Sequence, residues 1–256
     1  MRRLMPLAAV ASPQPWGFWV TVGFALAIAF AFVVAQIVVA ILFSTVSMAT
    51  GHEEILKEPT KLQSNGLFLA LATCGAAPVG IGLTWLFAWI RKGISVSDYL
   101  GLKRLPAKQL LRWCIGLLLL GALSDGLSAL LGRPIVPDVI VESYNTAWSP
   151  PLLWFAMVIL APLNEEVFFR GFLFAGLSRS RIGGRGAILL TSLLWSVIHF
   201  QYDWFGVATI FVVGLLLGYA RLKTSSIIPT ILMHSLMNLV ATIQVAMLLW
   251  YVGESN

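Results

Sequence analysis

The chain has 256 residues, of which 59% are hydrophobic and only 11% charged. A soluble domain carries roughly 25% charged residues, so water is not the main solvent of this protein. The net charge of +6 falls in short loops between apolar runs, which makes it a topology signal rather than a nucleic-acid footprint.

The N-terminus opens with Arg2 and Arg3 and an apolar stretch to Ala11, which imitates a signal peptide. Pro6 interrupts that stretch, and a much longer apolar run begins at Trp16, so an uncleaved first span is expected. A spanning helix needs about 20 apolar residues. Seven candidate runs follow in order: 16–45, 66–90, 110–131, 151–178, 186–200, 204–220 and 226–252. The fifth and sixth are short and are expected to be shielded in part by protein. Pro229 suits the first turn of the last run. Cys74 and Cys114 lie inside apolar runs and imply packing, not a disulfide framework. The predicted fold is all-α: a polytopic transmembrane helical bundle of about seven spans, three in residues 1–150 and four in 151–256.

Basic residues orient the spans. With the N-terminus inside, thirteen of the 17 Lys and Arg residues fall on inner segments and span ends, and only Lys57, Lys61 and Arg133 fall outside. Arg170 lies within a span. The C-terminus is then outside.

Few ionisable groups remain deep in the spans: Asp125, Glu165, Glu166, Arg170, His199 and His234, joined by Asn238. Glu165, Glu166 and Arg170 together would cost on the order of 8–10 kcal/mol at the bilayer centre if uncompensated, so the cluster must be paired, hydrated or facing a cavity. Glu166 and Arg170 are four apart and share a helix face, which predicts an ion pair. Glu165 lies about 100° round the helix and is less neutralised by that arginine, as a base that exchanges protons with water must be. By itself the segment also fits a structural ion pair with a second, water-facing glutamate. Trp195 and His199 share a face in the fifth run, and a lone histidine there can equally be a hydrogen-bonded packing residue. His234 and Asn238 share a face in the last run. Two donors one turn apart can serve an oxyanion or merely join helices. His52 lies in an outer loop beside Glu53 and Glu54 and reads as solvated. A base, a histidine and a donor pair on three helices are the parts that water-driven amide hydrolysis needs.

Glu165-Glu166-x-x-x-Arg170, then Trp195-x-x-x-His199, then His234-x-x-x-Asn238, in that order on successive apolar segments, resembles the CPBP (Abi, CAAX-protease) family of intramembrane glutamic endopeptidases. The resemblance covers about residues 150–240, with Trp195 standing where the family's motif has Phe. Before residue 150 it is confined to hydropathy and to the stretch Asp98-Tyr99-Leu100-Gly101-Leu102. It implies that residues 151–256 are the catalytic core. Glu165 and His199 would activate water, and His234 and Asn238 would stabilise the oxyanion. Glu166 and Arg170 would support the site. No cofactor or metal is implied. Helix rise puts Glu165 about 21 Å from the outer end of its span and His234 about 12 Å from the inner end of its own, which predicts a site opening inward.

Two other readings compete. A zinc protease could use Glu165, His199 and His234 as ligands, although no His-Glu-x-x-His motif is present. A transporter, scaffold or immunity factor could use the same groups without catalysis. The expected partners are the lipid bilayer and a peptide or protein substrate, prenylated or a leader peptide, and not nucleic acid. The expected location is a prokaryotic cell membrane. Asp125 has no role in this reading.

Overall fold

The computed structural model describes residues 14–254. The signal-like stretch from Arg2 to Ala11 lies outside the described residues. Ten helices make up the described chain: α1 (Phe18–Ala49), α2 (Pro59–Gln63), α3 (Gly66–Trp89), α4 (Val96–Leu100), α5 (Ala107–Leu130) and α6 (Asp138–Asn145), then α7 (Pro150–Ser178), α8 (Gly183–Val197), α9 (Trp204–Thr224) and α10 (Ile228–Glu254). One 3₁₀ turn, Glu53–Leu56, joins α1 to α2. No strand occurs among the described residues.

Six helices, α1, α3, α5, α7, α9 and α10, are long and apolar enough to cross a membrane. The chain is an integral, multi-pass membrane protein. Its apolar side chains point outward as freely as inward, with Trp19 80% and Phe30 72% exposed on α1. That inverts the soluble pattern and suits hydrocarbon as the outer solvent.

The fifth apolar run departs from the expected span. Its helix, α8, has 15 residues and ends at Val197. That is about 22 Å, short of a hydrocarbon core about 30 Å thick. It packs instead as a hairpin with α9 and against α7. His199 therefore sits in the turn after the helix, not inside a span. The sixth run is longer than expected: α9 continues to Thr224, where Ser225, in the left-handed region at φ 53°, caps it.

Helix α7 is the axis of the bundle. It is contacted by α1, α3, α8, α9 and α10, and every residue from Phe169 to Leu177 is buried. A helix buried all round must be apolar on every face, which is how this stretch reads apart from Arg170. Two π-helical stretches, Phe155–Leu160 and Val167–Leu173, flank the short α-helical segment Ala161–Glu166 that carries both glutamates. Such local widenings occur often at functional sites, because they re-aim side chains without ending the helix. Small residues let neighbours approach this axis. Gly80 of α3 lies where a Cβ would strike Asn164 Oδ1, and Gly176 lies where one would strike Thr21 of α1.

The stretch Asp98–Leu102 latches the end of the bundle that holds the α7–α8 turn. Gly101, at φ 76°, accepts a hydrogen bond from the Ile227 amide at 2.9 Å. Ser226 Oγ donates to Lys103 O at 2.6 Å. A side chain at Gly101 would be strained by its φ and would meet the Arg221 guanidinium.

Candidate active site

The two glutamates of α7 diverge as their spacing requires. Glu166 is fully buried and pairs with Arg170 Nη1 at 2.9 Å, one turn along the same helix. Its Oε1 also lies 3.0 Å from His234 Nδ1 on α10. A carboxylate held by an arginine is an acceptor, so the His234 Nδ1–H donates to it. That leaves Nε2 of His234 facing Glu165, whose Oε2 is 4.0 Å away. Glu165 is the more open of the pair, with its side chain 20% exposed.

Trp195 of α8 stands at the centre of these groups. Its ring is fully buried, and its Nε1–H donates to Glu165 Oε2 at 2.5 Å. The indole has the His234 ring at 5.1 Å and the His199 ring at 5.3 Å, both edge-on, and the Arg170 guanidinium 4.5 Å above it. Its backbone carbonyl is 2.7 Å from His199 Nδ1. A carbonyl can only accept, so His199 carries its proton on Nδ1 and its Nε2 is left as an acceptor. Both histidines are thus fixed by the same device: Nδ1 tied to an oxygen, Nε2 free for chemistry.

Glu165, Glu166, Arg170, His199 and His234, drawn from α7, α10 and the α8–α9 turn, therefore meet in one network around Trp195. Asn238 joins α7 further along. Its Nδ2 donates to Met157 O at 2.7 Å, in the first π-helical stretch. An amide nitrogen has two hydrogens, so one N–H remains available. Asp125 is also accounted for: its Oδ2 accepts from Gln244 Nε2 at 2.8 Å, joining α5 to α10.

Three participants escaped the sequence reading. Trp195 is there only the aromatic that replaces Phe in the motif, although a buried indole N–H requires an acceptor and that requirement is visible in the residue type. The Met157 carbonyl is a backbone group that no side-chain pattern marks. Tyr202 lies in the turn beside His199, with ring centroids 6.3 Å apart. Burial first, and then the negative charge of Glu165, push its phenol up to about 12, so it keeps its proton at neutral pH.

A cavity of about 210 Å³, lined by Arg133, Pro137, Gln201, Tyr202 and Gly206, lies at the end of the bundle that holds the α8–α9 turn. The early stop of α8 carries His199 towards that end. Arg133 pairs with Asp203 there and lies 4.8 Å over the Phe205 ring, fixing the turn.

No three His, Cys, Asp or Glu side chains converge as metal ligands among the described residues. The indole of Trp195 lies against both imidazoles, and each Nδ1 is already engaged.

Comparison with known proteins is consistent with this geometry. Residues 147–240 match the family model described as Rce1-like, type II CAAX prenyl endopeptidase. An uncharacterised 24.3 kDa protein of Escherichia coli is 37% identical over 103 residues, covering 39% of this chain and 42% of that protein. The UPF0177 protein YxdF of Lactococcus lactis is 25% identical over 81 residues, covering 32% of this chain and 43% of that one. The chain thus spans about two-fifths of the length of these curated relatives. No solved structure matches. The matched segment, 147–240, holds the glutamates, Arg170, Trp195, both site histidines and Asn238, and is similar to the Rce1-like family there.

Proposed function

We propose that the chain is an intramembrane endopeptidase that hydrolyses a peptide bond with water activated by Glu165 and His199. The observation that carries this reading is a pair of imidazoles, each held at Nδ1, packed on the same indole whose N–H holds Glu165. Glu165 takes a proton from a water that also donates to His199 Nε2, and the water oxygen attacks the scissile carbonyl carbon. The oxyanion is met by the second N–H of Asn238 and by His234 acting as an imidazolium, its Nδ1–H on Glu166 and its Nε2–H towards the oxyanion. Glu165 then passes its proton to the departing nitrogen as the C–N bond breaks, leaving an amine and a carboxylic acid that gives its proton to His199 Nε2. No acyl-enzyme forms. Glu166 and Arg170 neutralise one another and hold the His234 ring in one orientation.

The substrate is a peptide segment at or within the bilayer, prenylated or a leader sequence. The N-terminus lies inside and the protein resides in a prokaryotic cell membrane, a reading supported by the bias of basic residues and by the bacterial source of both relatives. The test is cleavage of a panel of lipidated and unlipidated peptides by purified protein. At least one peptide should be cut by the native chain and by none of Glu165→Gln, Glu165→Ala and His199→Ala. If the glutamate and histidine variants cut as fast as the native chain, the assignment is lost.

A further inference from the structure

A second cavity, about 360 Å³, lies at the opposite end of the bundle from the cavity beside Tyr202. Its wall includes Arg179, Arg221, Lys103, Asp98, Phe174 and Gly184. Lys103 and Asp98 form a pair at 3.9 Å, which leaves the two arginines as uncompensated charge. Arg221 is only 8% exposed. Its Nε–H donates to Arg170 O at 2.8 Å, and its guanidinium lies 5.3 Å over the Phe174 ring. Gly184 lies in the first turn of α8, where backbone amides have no intrahelical partner and the helix dipole is positive.

A buried guanidinium on a cavity wall is stabilised by an anion beside it. Two guanidinium groups beside a helix N-terminus form the usual chemistry for a phosphate group. The volume admits one phosphate and part of the group attached to it. The helix ends that frame the cavity also place it at a membrane boundary.

We propose that this cavity is a binding site for a phosphate group, held by Arg221 and Arg179 with the first-turn amides of α8. The carrier is an anionic phospholipid headgroup or a soluble phosphate.

The test uses the full chain purified in neutral detergent, with phosphatidylglycerol and inorganic phosphate as separate probes. Lipid retention is read by native mass spectrometry, and phosphate binding by the rise in the thermal unfolding midpoint. Arg179→Gln is exposed and should fold. Arg221→Gln removes the bond to Arg170 O, and its folding is checked separately. Loss of one charge-assisted contact should weaken binding about tenfold. The control is Arg112→Gln, an exposed basic residue on α5 away from the cavity.

Retention of phosphatidylglycerol that falls in Arg179→Gln and not in Arg112→Gln supports the site with a lipid as carrier. Stabilisation by inorganic phosphate that disappears in Arg179→Gln supports it with a soluble carrier. The proposal is overturned if neither probe binds, or if Arg112→Gln loses binding as fully as Arg179→Gln. In that case the arginines are only part of the general basic surface.

Discussion

The indole N–H of Trp195 donates to Oε2 of Glu165 at 2.5 Å, joining α8 to the α-helical segment of α7 that carries both glutamates. Phe, the residue at the matching place in the family's motif, would fill most of the same space and could not make this bond. Trp195→Phe should therefore separate positioning from packing. A hydrogen bond to a charged group contributes about 1.5–3 kcal/mol, so kcat on any cleaved peptide should fall about ten- to hundredfold if the bond orients Glu165 in the transition state. KM should change little. Unchanged kcat in a correctly folded variant would show that the bond only packs the two helices.

The neighbouring carboxylates should respond in opposite ways. Glu166 is fully buried between Arg170 and His234, and removing one partner of a buried pair costs about 3–5 kcal/mol. Glu166→Gln should lower the unfolding midpoint in detergent markedly. Glu165→Gln keeps an acceptor oxygen for Trp195 on a partly open side chain, so its midpoint should stay near that of the native chain while cleavage is lost. Equal destabilisation by the two would mean that Glu165 is a second structural charge.

What the sequence made legible follows from distance along the chain. Glu166 and Arg170 are one helical turn apart, so their pair was readable from spacing alone. The contact between Trp195 and Glu165, or between Asp125 and Gln244, depends on which helices face one another, and periodicity does not carry that. The misplacement of His199 has a local cause. Neither Gly nor Pro marks the stop of α8, since the residues after Val197 are Ile, His, Phe, Gln and Tyr. The available signal was Asp203, whose side chain accepts from the Gly206 amide at 2.9 Å and caps α9. An N-cap there fixes the start of α9 and limits how far α8 can run.

Metal dependence should be absent. The Nδ1 atoms of His199 and His234 are engaged by Trp195 O and Glu166, and Glu165 Oε2 is engaged by the Trp195 indole. Cleavage by purified protein should survive prolonged exposure to a strong chelator, and elemental analysis should find well under one zinc per chain. Loss of activity on chelation, restored by zinc alone, would instead support a site in which these side chains rearrange around a metal.

Alkaline pH should release the latch at the end of the bundle that holds the α7–α8 turn. Tyr99, between α3 and α5, is 1% exposed and stacks on Phe172 with centroids 5.5 Å apart. Burial pushes its phenol up to about 12 from an ordinary 10.0. The folded state thus favours the neutral ring. Its contribution to stability is complete below pH 10 and is lost as the pH rises through 12. The full loss is on the order of 3 kcal/mol. Detergent unfolding midpoints should be level in this respect up to about pH 10 and then decline, and Tyr99→Phe should flatten the decline because phenylalanine has no proton to lose. Absorbance titration should show two phenols, Tyr99 and Tyr202, ionising only near pH 12. A Tyr99→Phe chain that loses stability over the same pH range as the native chain would assign the alkaline transition to other groups and leave Tyr99 a packing residue only.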